Sequence, residues 1–156
     1  MFPANFLTVE RISCGNTAGS KKRILEEVGR LLASSTPDLT QDKVFDKLLE
    51  RERLGSTGLG HGIALPHARM TGVDQAWGAF IQLSGGVDFD AIDNQKIDLA
   101  FGLLVPEEAT QEHLNLLAKL ASLFSNSDLC TRLREAESEE HIHQMIQQWE
   151  RLAQTA

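Results

Sequence analysis

Apolar and polar positions change their spacing several times along the chain, and each change marks an element. Ile24, Val28, Leu31 and Leu32 fall on one helical face, and Ser20 stands where a cap is needed, which predicts a helix to about residue 33. Thr36-Pro37-Asp38 breaks it. Thr40 is placed to cap a second helix, with Val44, Phe45, Leu48 and Leu49 at helical spacing, running out near Arg53. Ile63-Ala64-Leu65 reads as a short buried strand that Pro66 ends, because proline offers no N–H to a ladder. Residues 77–83 and 97–105 are apolar and strand-like, with Ser84-Gly85-Gly86 as punctuation, a polar connection over 88–96, and Pro106 as the close.

Beyond Thr110, read as an N-cap, the pattern is helical again: Leu114, Leu117, Ala118, Ala121 and Phe124 recur on one face. A short helix is expected over 128–136. The last runs over 139–152, with Ile142, Met145, Ile146, Trp149 and Leu152 as its buried stripe. A weaker strand signal at 11–14 is closed by Gly15-Asn16. Helices at both ends of a central set of strands predict an α/β architecture, without repeats or linkers.

Composition narrows this picture. The 156 residues suit one compact domain, and 42% hydrophobic with 24% charged residues is ordinary for a globular chain. A net charge of −7 argues against a nucleic-acid surface. Two cysteines, Cys14 and Cys130, lie far apart without metal or redox spacing and are expected to be unpaired thiols of a reducing compartment. The N-terminus has no basic region followed by a long apolar run, and no window approaches the length of a membrane span. The expectation is a cytoplasmic protein without direct membrane insertion.

The unusual chemistry lies between Arg51 and Arg69. Four glycines, Gly55, Gly58, Gly60 and Gly62, fall close together, so neither a helix nor an ordinary strand is attractive there. Such a loop lets backbone N–H groups approach a bound anion. His67 follows Pro66 just beyond the expected strand end, where α/β proteins tend to keep reactive side chains. Arg51 stands in the last turn of the second predicted helix. There the dipole alone accounts for a cation, the commoner case for an arginine taken by itself, and a fold back over the loop is the alternative. Together these residues suggest phosphate beside an imidazole. A three-histidine zinc site built from His61, His67 and His113 competes with this. It is disfavoured because no carboxylate or cysteine falls at a familiar ligand spacing around them. His141 and His143 are expected on the solvated surface of the last helix.

The run Arg51-Glu52-Arg53-Leu54-Gly-Ser-Thr-Gly, then Gly-Ile-Ala-Leu-Pro-His67, resembles the signature of the fructose/mannitol-type enzyme IIA family of the bacterial phosphotransferase system, in its nitrogen-regulatory branch. A second block, Ile97 to Pro106 followed by Glu112-His113-Leu114, is similar to that family's as well, and the resemblance covers nearly the whole chain, 1–156, as a single IIA-type domain. It implies a mixed central sheet flanked by helices on both faces. It implies that His67 is the phosphoryl acceptor, His113 the second imidazole and Arg51 the phosphate-stabilising cation, with Ser56, Thr57, Gly58, Gly60 and Gly62 in the phosphate-binding loop, no metal and no cofactor. The implied donor is a phosphorylated HPr-like carrier (NPr type). The implied use is control of transporter or kinase proteins by phosphorylation-dependent contact, with transferase chemistry subordinate to regulation. The alternative is a sugar-specific IIA passing phosphate to a IIB subunit. His61 departs from the family, which tends to an acidic residue or Asn there.

Overall fold

The computed structural model describes residues 2–155. A 3-10 turn at Val9–Arg11 leads into β1 (Ile12–Asn16), then α1 (Lys21–Ala33) and α2 (Gln41–Glu52). The two helices begin as expected: Ser20 accepts from Arg23 N and Thr40 from Lys43 N. Strands β2 (Gly58–Gly60), β3 (Ile63–Ala64), β4 (His67–Met70), β5 (Trp77–Val87) and β6 (Ile97–Pro106) follow, then α3 (Thr110–Phe124), α4 (Ser127–Glu135) and α5 (Glu139–Thr155). The sheet is mixed, in the order β1-β5-β6-β3-β2, with β4 also on β6. Both of its faces are covered. Ile24, Leu25, Val28 and Leu32 of α1 and Val44 and Leu48 of α2 pack with Ala100 and Leu104 on one side, while Leu116, Leu120 and Leu123 of α3, Leu133 of α4 and Ile142 of α5 pack with Leu99, Phe101 and Leu103 on the other. Period-two alternation along β6 supplies both cores from one strand.

Several expectations need correction. Pro66 interrupts its strand without ending it: Ile63 stands opposite Leu99 and His67 opposite Leu103, the same register on either side of the proline. Pro66 has no N–H to give, but its carbonyl still accepts from Leu103 N at 3.0 Å. The glycines at 85 and 86 do not end β5 either. The register moves from Gln82 opposite Leu99 to Val87 opposite Ile97, a bulge that absorbs them within the ladder.

On α3 the buried stripe is Leu116, Leu120, Leu123 and Phe124, whereas Leu114, Ala118 and Ala121 are exposed and Leu117 is half-buried. Both sets recur at helical spacing, so periodicity alone does not choose between them. On α5 Ile142, Met145 and Ile146 are buried as expected and Leu152 is exposed. His143 is not solvated: the N-terminal segment lies over α5, and its Leu7 carbonyl meets His143 Nε2 at 3.0 Å. Both cysteines are free, Cys130 buried and Cys14 half-buried. No helix among the described residues is long and apolar enough to cross a membrane.

Contact between α1 and the sheet depends on Gly102. A Cβ there would overlap Val28 Cγ1, with Leu32 Cδ1 at 3.4 Å, and both side chains are fully buried. Gly102→Ala is therefore expected to destabilise the fold by about 1–3 kcal/mol. The urea midpoint should fall, and Val28→Ala in the same chain should recover part of the loss. An unchanged midpoint would show that α1 moves away freely.

Candidate functional site

The site is assembled where the end of α2, the β4 segment and the start of α3 meet. Side chains alternate along the 63–70 segment: Ile63 and Leu65 belong to the core beneath α3–α5, Ala64, Ala68 and Met70 to the core beneath α1 and α2. His67 and Arg69 follow the first set, toward α3. There Arg69 Nη1 donates to Thr110 Oγ1 at 3.1 Å, and the His67 and His113 rings lie 5.3 Å apart at an interplanar angle of 67°. Thr110 is not the cap of α3. The preceding turn, closed by Ala109 N donating to Pro106 O, brings Ala109 to the N-cap position, and the Thr110 hydroxyl serves Arg69 instead. His113 remains in the first turn, its own N–H committed to Ala109 O at 2.9 Å.

The two imidazoles are differently prepared. His67 is half-buried, with Nδ1 at 2.7 Å from the Leu65 carbonyl. A carbonyl only accepts, so Nδ1 carries the proton and Nε2 keeps its lone pair. Burial lowers the His67 pKa below the usual histidine range and the Arg51 charge lowers it further, against the opposing pull of the Leu65 carbonyl and Glu52. The ring is neutral near physiological pH. For His113 burial, then His67, Arg69 and Arg51, push the pKa down to about 4. Its Nε2 is buried without a hydrogen-bond partner among the described residues.

Arg51, His67, Arg69 and His113 line one open cleft of about 610 Å³ together with Leu54 and Leu114, two leucines that are 83% and 57% exposed. An adjoining cleft of about 350 Å³ brings Ser56, Thr57 and Gly58 to the same place beside Leu59 and Leu117. The expected glycine loop is thus divided. Ser56, Thr57 and Gly58 adjoin His67, but their polar groups are engaged: Ser56 Oγ donates to Phe89 O and accepts from Gly58 N, and the Thr57 N–H and hydroxyl both go to Glu52. A Cβ on Gly58 would sit 2.8 Å from Ala91 Cβ, so close packing accounts for that glycine.

Gly60 and Gly62 are elsewhere. They flank His61 in the β2–β3 hairpin, where His61 and Gly62 hold φ of 58° and 82° as its two-residue turn. Positive φ at both central positions is the type I′ pattern, and histidine tolerates it better than most side chains. Gly62 O accepts from Leu99 N, while His67 stands opposite Leu103, so the turn lies about 16 Å along the strand from His67. There His61 N donates to Asp93, and Arg134 binds both Asp98 oxygens at 2.9 Å and the His61 carbonyl. His61 therefore does not join His67 and His113, and no group of three His, Cys, Asp or Glu side chains among the described residues is arranged to hold a metal.

Arg69, Glu52 and Lys21 went unread in the sequence. Arg69 was within reach, since a residue two past His67 shares its face once 67–70 is a strand. Lys21 and Glu52, brought together at 2.9 Å from distant segments, left no local signal.

Residues 5–149 match the family described as "Phosphoenolpyruvate-dependent sugar phosphotransferase system, EIIA 2". A "Nitrogen regulatory protein" of Pseudomonas aeruginosa is 44% identical over 140 residues, 90% of this chain and 91% of the relative. The crystal structure of nitrogen regulatory protein IIA-Ntr from Neisseria meningitidis superposes with a TM-score of 0.85 at 46% identity, over 90% of this chain and 95% of that one. The mannitol IIA of Escherichia coli shares the fold, with a TM-score of 0.74 at 23% identity over 89% and 97% of the two chains.

The depressed His113 pKa has a testable sign. Unfolded, the ring titrates at the ordinary histidine value of 6.5; folded, at about 4. Its contribution to stability is full above the unfolded value and lost as pH falls between the two, because the unfolded chain then binds the extra proton. NMR titration should place the His113 midpoint near 4. His113→Asn should flatten the pH dependence of stability across that window. A midpoint near the ordinary histidine value would refute the buried neutral ring.

Proposed function

The chain belongs to the type-2 EIIA family of the phosphoenolpyruvate-dependent sugar phosphotransferase system, in its nitrogen-regulatory branch, and on that premise we propose that His67 accepts a phosphoryl group from a phosphorylated HPr-like carrier (NPr type). The observation that carries this reading is the commitment of His67 Nδ1 to the Leu65 carbonyl, in a ring that lines a cleft shared with Arg51 and His113. The free Nε2 lone pair attacks the phosphorus of the carrier's phosphohistidine. The new N–P bond forms as the old one breaks, and the leaving electron pair returns to the carrier's imidazole. The His67 ring gains positive character as its lone pair is used, and the Leu65 carbonyl stabilises the Nδ1–H through this change. Such transfer is mostly positioning and charge stabilisation. Arg51 offers a planar fork to the equatorial oxygens, and the unpartnered Nε2 of His113 is the neutral donor beside them.

Leu54 and Leu114, exposed at the mouth of the cleft, suit a docking protein better than a small molecule. Phosphorylation adds about −1.5 to −2 charges to this rim at pH 7, changing the surface that a transporter or kinase partner meets. Regulation by phosphorylation-dependent contact is the use proposed for it.

Mass spectrometry after mixing with a phosphorylated HPr-type carrier should locate one acid-labile phosphoryl group on His67 and none in His67→Ala. His113→Ala and Arg51→Lys should still be labelled at His67. In His113→Ala the rate should drop by about 10²- to 10³-fold for one lost transition-state donor. Labelling of His67→Ala at the parent's rate would sink the assignment.

A second measurement concerns use. In reconstituted fructose- or mannitol-type membrane systems lacking their own IIA, this chain should not support sugar phosphorylation. Robust sugar phosphorylation there would replace the regulatory reading with a sugar-specific IIA that passes phosphate to a IIB subunit.

A further inference from the structure

One buried charge takes no direct part in the transfer. Glu52 ends α2, one residue after Arg51, and is 6% exposed. Its carboxylate accepts from Thr57 N at 2.9 Å and Thr57 Oγ1 at 2.6 Å, and it pairs with Lys21 Nζ at 2.9 Å. Lys21 also reaches Asp90 at 3.4 Å and lies over the Phe89 ring. A carboxylate withdrawn this far from water is costly even when paired. At a helix C-terminus the dipole adds to the cost, because that end is already negative. A neutral side chain oxygen would satisfy the Thr57 N–H equally well. Lys21 gives the charge a structural partner, and the carboxylate's hydrogen bonds reach beyond that pair.

The hydrogen bonds lead from Glu52 to the acceptor ring. Thr57, held by the carboxylate, accepts at its carbonyl from Leu65 N at 2.9 Å, and the Leu65 carbonyl in turn meets His67 Nδ1 at 2.7 Å. The same anchored loop carries the Gly55 carbonyl that takes Arg51 Nη1 at 2.9 Å. We propose that Glu52 is the positioning residue of the phosphoryl site: through Thr57 and Leu65 it sets the His67 ring with Nδ1 protonated, holds the loop that orients Arg51, and lends negative charge to a ring that turns positive as the N–P bond forms. This rests on the reading of His67 as acceptor.

The charges facing His67 act in opposite directions. Arg51 from α2 lowers its basicity, alongside burial, and Glu52 from the same helix raises it. His113 from α3 is neutral above pH of about 4, and Arg69 on the same strand acts on His113. Around Glu52 the charged neighbours are Lys21 from α1 and, through it, Asp90. Removing the Glu52 charge and removing its lysine partner should consequently move His67 in opposite directions.

The test uses Glu52→Gln and Lys21→Met in the full chain, each checked for folding by circular dichroism. Nitrogen-15 NMR of the imidazoles reads the His67 midpoint and tautomer, and labelling by a phosphorylated HPr-type carrier reads transfer. Glu52→Gln should lower the His67 midpoint and slow labelling by about 10- to 100-fold, the scale of a slight misplacement of reacting groups. Lys21→Met should raise the midpoint. A purely structural role would leave the midpoint of a folded variant where it was. The proposal is overturned if folded Glu52→Gln titrates and is labelled like the parent, or if both variants shift His67 the same way. Should Glu52→Gln fail to fold, Lys21→Met decides: a raised midpoint supports the coupling, an unchanged one refutes it. Failure of the acceptor reading itself looks different, since the parent protein would then carry no label on His67.

Discussion

Everything at this site depends on one set of backbone hydrogen bonds, those between the 63–70 segment and β6. That ladder is parallel, keeps one register across Pro66, and holds His67 opposite Leu103. Because both faces of β6 are buried, the strand cannot slide without moving two cores at once. The His67 ring therefore sits on a backbone fixed by two cores at once. Its partners come from the ends of helices on both faces: Arg51 at the C-terminal turn of α2, His113 in the first turn of α3. A rigid strand carries the proposed acceptor, and helix termini place the charged groups around it.

Burial and electrostatics then divide the work between the imidazoles. Burial lowers the pKa of both rings, but Leu65 and Glu52 pull against it only at His67. One ring stays closer to the range in which an imidazole is a useful base, while the other is kept neutral over a wide span of pH. The two histidines are prepared differently because their burial, hydrogen-bond partners and neighbouring charges differ.

Much of this was legible in the sequence. Helix starts at Ser20 and Thr40 carry local cap signals that tertiary structure has no reason to override. The meeting of Arg51, His67 and His113 was legible through the family resemblance, since periodicity alone places them on separate elements. The departures from the pattern have separate physical causes. Glycine and proline read as punctuation at 66 and at 85–86, whereas the ladder with β6 continues past a missing N–H and around a bulge. On α3 the helical spacing of Leu114, Ala118 and Ala121 does not reveal that this face is exposed, because an exposed apolar face repeats with the same period as a buried one. The Glu52–Lys21 pair joins segments that have no sequence relation, so only folding could reveal it.

The unbroken register across Pro66 also limits how this chain can vary in length. Neighbouring side chains on a strand face opposite layers, so one residue gained or lost between Gly62 and His67 would turn the imidazole from the α3 side toward α1 and α2. There it would meet a packed core with neither His113 nor the open cleft. Insertions can be absorbed in the 71–76 and 88–96 connections, which lie outside the ladder. Counting residues from the His61-Gly62 turn is therefore as strict a requirement on a working relative as the identity of the histidine itself.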